Sequence, residues 1–261
     1  MTHLVLLALL AAAPAAVDAD AGAGLSYVYQ RGDHGAQGTG TVEADIAAGT
    51  REVRPFGSSG VESGARFKLN ATDRIGVEGW GGALFTDGAY RNAAWSAEVS
   101  ARILEQSRHL VNLSVGAGFM RDYQSVSIPR ARVTLGRTFG RVDASVSGLF
   151  ELPQSAHRDG VDVVVGAAAS YRVSKGFAVG AEVQGEDLEG LWDPGETEGG
   201  ARLVAGPTVW FRPLPSFHLK LNAAAVVSAT QSAPAAGGPS AAPAQPAGTG
   251  FLGRFVAGYD F

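Results

Sequence analysis

The sequence lacks several features on which common protein classes depend. Its 261 residues include no cysteine, which excludes disulfide bonds, thiolate metal sites and thiol nucleophiles. The longest apolar run, from Leu4 to Val17, is interrupted by Pro14 and is shorter than the roughly 20 residues that a membrane-spanning helix requires. The mean hydropathy of only +0.06 also argues against a bundle of such helices. A membrane protein of this composition has one other option, which is a closed β-barrel.

An excess of charge of one sign is also missing, because 21 basic residues stand against 25 acidic ones. Nucleic-acid-binding proteins carry basic patches or a basic excess, so we expect no nucleic-acid partner. The sequence shows neither a regular spacing of metal ligands nor a Gly-x-Ser-x-Gly nucleophile motif. We therefore expect no metal, no cofactor and no enzymatic activity.

The N-terminal segment has the pattern of a secretory signal peptide. Leu4 to Ala13 forms an apolar core, and Val17-Asp18-Ala19 supplies small residues before a cleavage site. Ala13-Pro14-Ala15 is an alternative site, and an uncleaved N-terminal helix is the alternative structure. We expect residues 1–19 to be the signal peptide.

Beyond about residue 61, apolar and charged residues alternate along the chain. Phe217, Leu219 and Leu221 share one parity, whereas His218 and Lys220 share the other. Side chains alternate between the two faces of a β-strand, so each such segment is a two-faced strand. The pattern recurs about eleven times. The clearest strands are predicted at approximately 60–70, 74–85, 92–103, 109–119, 128–136, 140–150, 161–172, 176–184, 200–211, 216–228 and 250–261.

The connectors between these strands are alternately short and long. The longer ones are expected near 86–91, 120–127, 151–160, 185–199 and 229–249. This asymmetry is typical of barrels with short periplasmic turns and longer extracellular loops. A soluble β-sandwich shows the same residue alternation, but the signal peptide, the strand lengths, the connectors and the placement of aromatic residues favour the barrel.

The last strand is the most specific part of the pattern. Phe255 to Phe261 alternates apolar residues and ends on an aromatic side chain. This strand resembles the terminal strand of bacterial outer-membrane β-barrel proteins. The resemblance covers residues 20–261 at the level of architecture. It implies a bacterial outer-membrane location, Tyr259 and Phe261 as the signal read by the barrel-assembly machinery, and outer-membrane lipid and lipopolysaccharide as partners.

We therefore predict one all-β domain over residues 20–261, an antiparallel up-and-down transmembrane barrel of 12–14 strands. Two further strands are possible, at Leu25–Gln30 and Thr39–Ala47, and the total must be even in a bacterial single-chain barrel. A short extra strand at Arg51–Phe56 gives fourteen, although Pro55 weakens it. If one N-terminal segment is not part of the barrel wall, the barrel has twelve strands.

The parity opposite to the apolar face is predicted to line the lumen. Its charged members are Glu62, Arg66, Lys68, Glu78, Glu98, Arg102, Arg130, Arg132, Arg141, Asp143, Asp162, Arg172, Glu182, Arg202, Lys220 and Arg254. With Glu43, Asp45 and Asp260 of the same register added, acids and bases are similar in number, which predicts a passive general or weakly selective pore for small hydrophilic solutes. The alternative is a network of internal ion pairs that fills the barrel, and the basic ladder of Arg130, Arg132 and Arg141 can either bind anions or pair with acids.

Three other segments leave alternatives open. The acidic loop 185–198 can bind cations or be a solvated loop, and the Ala- and Pro-rich segment 229–249 can be an outer loop or a plug. Ser155, His157 and Asp159 share one outer loop, as a hydrolytic site would require. The runner-up to the pore is thus a non-conducting structural or surface-binding barrel that acts through its outer loops. A lipid-modifying enzyme is the third hypothesis.

Overall fold

The described residues form a closed antiparallel barrel of twelve strands. The computed structural model describes residues 35–49, 60–86, 89–123, 125–154, 161–186, 202–228 and 248–261. Its strands are β1 (Gly40–Gly49), β2 (Gly60–Asn70), β3 (Ile75–Thr86), β4 (Ala89–Leu104), β5 (Asn112–Arg121), β6 (Ser127–Phe139), β7 (Val142–Glu151), β8 (Asp162–Ser174), β9 (Phe177–Glu186), β10 (Arg202–Leu214), β11 (Phe217–Ser228) and β12 (Gly248–Asp260). The prediction of an all-β, up-and-down barrel is confirmed. Within the described part of the chain, no helix has the length and apolar character needed to cross a membrane.

The strand count of the described barrel is twelve, the lower of the two predicted numbers. β1 corresponds to the strand predicted at Thr39–Ala47, and it pairs with β2 on one side and with β12 on the other. These two ladders close the wall, so every strand has two partners and no edge remains. The segments Leu25–Gln30 and Arg51–Phe56 lie outside the described residues, as does the predicted signal peptide.

The connections differ from the predicted alternation at one place in particular. Residues 140–141, 175–176 and 215–216 are tight turns at one end of the barrel, which we call the short-turn end. Gly140 has a φ of 59°, a conformation that favours glycine. The prediction of a longer loop near 86–91 is wrong, because β3 extends to Thr86 and β4 begins at Ala89. Pairing between these strands continues to Thr86 and Ala89, past the point where the residue alternation fades.

The closed sheet separates the two parities of each strand. Outward side chains such as Val99 and Val146 are about half exposed, at 53% and 52%, whereas the inward Glu62 is fully buried at 0%. Two aromatic contacts lie on the outer surface near opposite ends of the strands, namely Phe67 stacked on Phe261 and Trp95 against Phe119. Apolar residues therefore face outward and polar ones inward, as a barrel in lipid requires.

β10 contains an irregularity at its centre. Pro207 has no N–H to donate, and the ladder between β10 and β11 lacks the pairs that Gly206 and Pro207 would form. The Asn222 side chain donates a hydrogen bond to the Pro207 carbonyl at 3.3 Å, which satisfies the acceptor. A Cβ on Gly206 would come within 2.1 Å of the Ala223 carbonyl oxygen, so the close approach of the two strands requires glycine there.

Candidate functional site

The candidate site is the inner face of the barrel, where the structure brings most of the predicted charged residues. The side chains of one group are buried there: Glu62, Glu98, Arg132, Asp143, Asp162, Glu182, Arg202 and Arg254. A second group shares the inward parity and is partly exposed: Arg66, Lys68, Glu78, Arg102, Arg130, Arg172 and Lys220. Arg141 differs from both groups and is exposed in the β6–β7 turn. The reason is that β6 extends to Phe139 and leaves only residues 140–141 to reverse the chain.

A chain of ionic contacts begins near the short-turn end of the barrel. Asp260 on β12 accepts hydrogen bonds from Arg212 at 2.9 Å and from Thr41 at 3.0 Å. The ring of His218 on β11 lies between two carboxylates, with Nδ1 3.2 Å from Asp260 and Nε2 3.0 Å from Glu43. Strands from both sides of the β1–β12 closure are thereby connected through polar side chains.

The contacts continue around the wall from Glu43. Its carboxylate lies 2.6 Å from the Lys220 ammonium group and 3.3 Å from the Arg66 guanidinium. Arg66 in turn lies 3.3 Å from Glu78 on β3. The side chains from Arg212 to Glu78 therefore form one belt across β10, β11, β12, β1, β2 and β3, which we call the ionic belt.

The inner face of β4 and β6 holds a separate ionic contact. Arg132 donates to both oxygens of Glu98, with distances of 3.0 Å from Nε to Oε1 and 3.0 Å from Nη2 to Oε2. Arg130 lies 3.7 Å from the same carboxylate. A Cβ on Gly116 would come within 2.6 Å of Glu98 Oε1, so the glycine lets the carboxylate lie flat against β5. Paired geometry of this kind is the strong form of an Arg–carboxylate interaction.

The most deeply buried of the described ion pairs joins β12 to β2. Arg254 on β12 donates to Glu62 on β2 at 2.7 Å and lies 3.4 Å from Asp45 on β1. Tyr123 donates its hydroxyl proton to the second oxygen of Glu62 at 2.7 Å, and its ring packs edge-on against Trp80. Burial and the Glu62 carboxylate raise the pKa of the Tyr123 hydroxyl, so it remains the donor.

Tyr123 was missed by sequence reasoning because it lies in the connection between β5 and β6, within a segment expected to be an outer loop. The same connection is held together by Asp122, which accepts a hydrogen bond from the Val126 amide at 2.8 Å. Nothing in the sequence of a loop that is predicted to be solvated indicates that the side chain of one of its tyrosines lies inside the barrel. The structure shows that this loop is bonded to the inner wall through Glu62.

Two smaller polar clusters also lie on the described inner face. Thr208 and Asn222 both donate to Glu182, at 3.0 Å and 2.8 Å, and so connect β9, β10 and β11. Near the short-turn end, Asp143 accepts a hydrogen bond from Thr138 at 2.6 Å and lies 3.3 Å from Arg172. Each cluster pairs an acid with donors from a neighbouring strand.

Part of the inner face is apolar, which the alternation did not predict. The buried cluster consists of Ala47, Val204, Ala224, Val226 and Leu252, from β1, β10, β11 and β12. In the sequence the alternation stops in the run Ala-Ala-Ala-Val-Val at 223–227 and again at Leu203-Val204-Ala205. In the part of the chain that the structure describes, no group of three or more His, Asp or Glu residues is arranged to hold a metal ion.

The fold is shared with solved bacterial porins and channels. The chain superimposes on the KdgM porin in complex with disordered oligogalacturonate with a TM-score of 0.57 and 6% identity, over 85% of this chain and 99% of that one. The NanC porin gives a TM-score of 0.55 and 7% identity, over 84% and 98%. An outer membrane channel from Pseudomonas putida F1 gives 0.50 and 10%, over 90% and 98%.

Similarity is confined to structure, since neither a protein-family model nor a curated protein sequence matches the chain. The structural matches confirm the predicted resemblance to outer-membrane β-barrel proteins at the level of fold. The inner face is lined by polar and charged side chains. Its acidic and basic groups lie within ion-pair distance of one another.

Proposed function

We propose that this protein is a passive outer-membrane pore for small hydrophilic solutes, with weak ion selectivity. The observation that supports it best is the inner face, on which ionisable side chains project from strands all around the described barrel. Burial of so many charges is costly unless they are paired or hydrated. A barrel of twelve strands has more interior than an eight-stranded one, whose side chains just fill it. The fold shared with porins supports the same function.

Weak selectivity follows from the pairing of charges. Arg132 is neutralised by Glu98, and Arg254 by Glu62, so these cations are not displayed to a passing anion. One structure of the KdgM porin is a complex with disordered oligogalacturonate, but paired arginines of this kind do not favour an acidic saccharide over a neutral one. The proposal is therefore a pore for small hydrophilic solutes as a class. No catalytic step is part of it.

The proposal is tested by refolding the chain into planar bilayers and recording single-channel current under a salt gradient. Discrete current steps would support a pore, and the reversal potential would give its ion preference. Heat-unfolded protein is the control for leakage. A correctly folded barrel that carries no current would overturn the proposal.

A silent barrel would support the second candidate, a structural or surface-binding role through the outer loops. The observation that favours this candidate is the apolar cluster on the inner face, in which Val226 is fully buried. Its partners would be lipopolysaccharide and other outer-membrane lipid. The third candidate, lipid hydrolysis, depends on Ser155, His157 and Asp159, which lie outside the described residues, and a His157→Ala variant with unchanged lipid turnover would remove it.

The location and biogenesis of the barrel are part of the same proposal. The apolar outer face and the terminal aromatic residues support a bacterial outer-membrane location and assembly through the barrel-assembly machinery. Phe261 pairs with Gly40 by two backbone hydrogen bonds, of 2.8 Å and 2.9 Å, and so lies at the closure of the barrel.

A further inference from the structure

A depression on the outer, apolar surface crosses the wall from β6 to β10. It has a volume of about 840 Å³, within the range of roughly 300–1,000 Å³ that small-molecule sites span. Its floor consists of outward-facing small residues, which are Ala144, Ala167, Ala169, Ala181, Ala205 and Pro207. We call this depression the alanine groove.

The pairing register explains why the surface is recessed there. Ala144 pairs with Ala169, Ala169 with Ala181, and Ala181 with Pro207, so one row of small residues runs across four strands. The neighbouring row toward the short-turn end is bulky, with Phe139, Val142, Tyr171, Val179 and Val209 in successive register. The groove is bounded on that side by larger side chains.

The row also changes depth as it crosses the wall. It begins at Ala144, two residues after the start of β7, and ends at Pro207, in the middle of β10. With strands about 4.8 Å apart, the row from β6 to β10 is about 19 Å long. Because barrel strands are tilted, it rises from the membrane surface at the short-turn end toward the middle of the bilayer.

A cation lies at the shallow end of the row. Arg137 on β6 pairs with Ala144 and lines the groove, although its parity faces outward. Its guanidinium lies 4.5 Å from the Phe139 ring, and its Nε is buried with no hydrogen-bond partner among the described residues. Arginine is costly on the lipid face of a barrel at the midplane but is tolerated near the interface. There it is well suited to a phosphate, which it binds with two parallel hydrogen bonds.

We propose that the alanine groove binds one anionic phospholipid of the periplasmic leaflet, with its phosphate at Arg137 and an acyl chain lying along the row toward Pro207. The apolar floor complements the chain, and the guanidinium complements the headgroup. Along the groove, the cation lies at the membrane surface and the apolar floor extends toward the middle of the bilayer. The headgroup and the acyl chain of a phospholipid follow in the same order. The site requires that the barrel lies in a bilayer but not that its lumen conducts, so a silent barrel would leave this inference standing.

The test is native mass spectrometry of the folded full chain, titrated in detergent with phosphatidylglycerol or phosphatidylcholine of equal chain length. Arg137→Gln should weaken the tightest phosphatidylglycerol binding about fivefold, the effect expected of one basic residue near an anionic headgroup, and should weaken phosphatidylcholine binding less, because the choline cation offsets the phosphate charge. Arg137→Lys should retain most of the binding. Arg74→Gln is the matched control, because Arg74 is an exposed cation in the β2–β3 turn at the same end of the barrel.

The groove itself is tested by filling it. Ala181→Phe should weaken the binding of both lipids, whereas Ala97→Phe, at an exposed outward position on β4, should not. Heat-modified migration on gels establishes that each variant is folded. The proposal would be overturned if Arg137→Gln and Ala181→Phe bound both lipids as tightly as the unsubstituted protein. It would also be overturned if Arg74→Gln lost as much phosphatidylglycerol binding as Arg137→Gln. A dimer that Ala181→Phe abolishes would overturn it too, because a second copy of the chain would then occupy the groove.

Discussion

The stability of the barrel should depend strongly on the pair formed by Arg254 and Glu62, which closes the wall between β12 and β2 across β1. Glu62 is fully buried, and the two side chains are 2.7 Å apart. Arg254→Met would leave the Glu62 carboxylate buried with only the Tyr123 hydroxyl as a neutral donor, and Asp45 would lose its cation at 3.4 Å. Removing one partner of a buried pair costs about 3–5 kcal/mol. We expect the free energy of unfolding to fall by that amount.

The measurement is equilibrium unfolding in urea, followed by the fluorescence of the four tryptophans. A second variant, Arg254→Met with Glu62→Gln, separates an unpaired charge from lost packing. It removes the carboxylate charge but keeps an acceptor for Tyr123, so most of the lost stability should return. Glu105→Gln is the surface control. Glu105 is 46% exposed and lies 3.7 Å from Arg102, so its loss should cost less than about 1 kcal/mol.

Two results would refute this reasoning. If Arg254→Met unfolds within about 1 kcal/mol of the unsubstituted protein, the pair is hydrated and does not hold the wall together. If the double variant is no more stable than Arg254→Met alone, the loss arises from packing of the long Arg side chain rather than from an uncompensated charge.

Three further outcomes are expected. Tyr123→Phe should lower the free energy of unfolding in urea by about 1–3 kcal/mol. Because the pKa of Tyr123 is raised in the folded state, the unsubstituted protein should lose stability as the pH rises above about 10. The Tyr123→Phe variant should lose less stability over the same pH range. Glu98→Gln removes the negative charge paired with Arg132 and should shift the reversal potential in a salt gradient toward anion preference, whereas an unchanged potential would separate this pair from the conducting path. Phe261→Ala loses the stack on Phe67, whose ring centroid is 6.5 Å away, and should lower the folded fraction on heat-modified gels, while Phe261→Tyr should not.

The architecture was predictable because a membrane barrel imposes one simple rule on every strand. Lipid on one side and a polar lumen on the other favour a two-residue period, which the strands from β2 to β12 follow over most of their length. The strand ends were less predictable. Backbone pairing extends β3 to Thr86 and β6 to Phe139, past the point where the alternation fades. Arg137 shows the consequence, since it was expected in a turn and instead lies on the outer face of β6.

The contacts within the lumen could not be predicted, for a different physical reason. Glu62 and Arg254 are 192 positions apart in the sequence, and only the closure of β1 against β12 brings them together. Parity shows which side of the wall a residue faces, but register determines which residues meet. The position of Tyr123 could not be predicted for a second reason, because a residue in a loop does not follow the alternation of a strand. The apolar Val226 adds a third, since an inward position is polar only where water or an ion pair reaches it.

The ion preference of the pore can be argued from which member of each pair is exposed to the lumen. In two of the described pairs the base is the more exposed partner, with side-chain exposures of 21% for Arg172 against 3% for Asp143, and 20% for Arg66 against 7% for Glu43. In these two pairs the acid lies closer to the wall, so the surface that a passing ion approaches there is basic although the total charge nearly cancels. Fields from partly exposed cations act over about 8 Å at physiological salt. The bilayer recording should therefore give a weak preference for anions that fades as salt is raised, and a preference for cations would show that the wall-side carboxylates dominate the path.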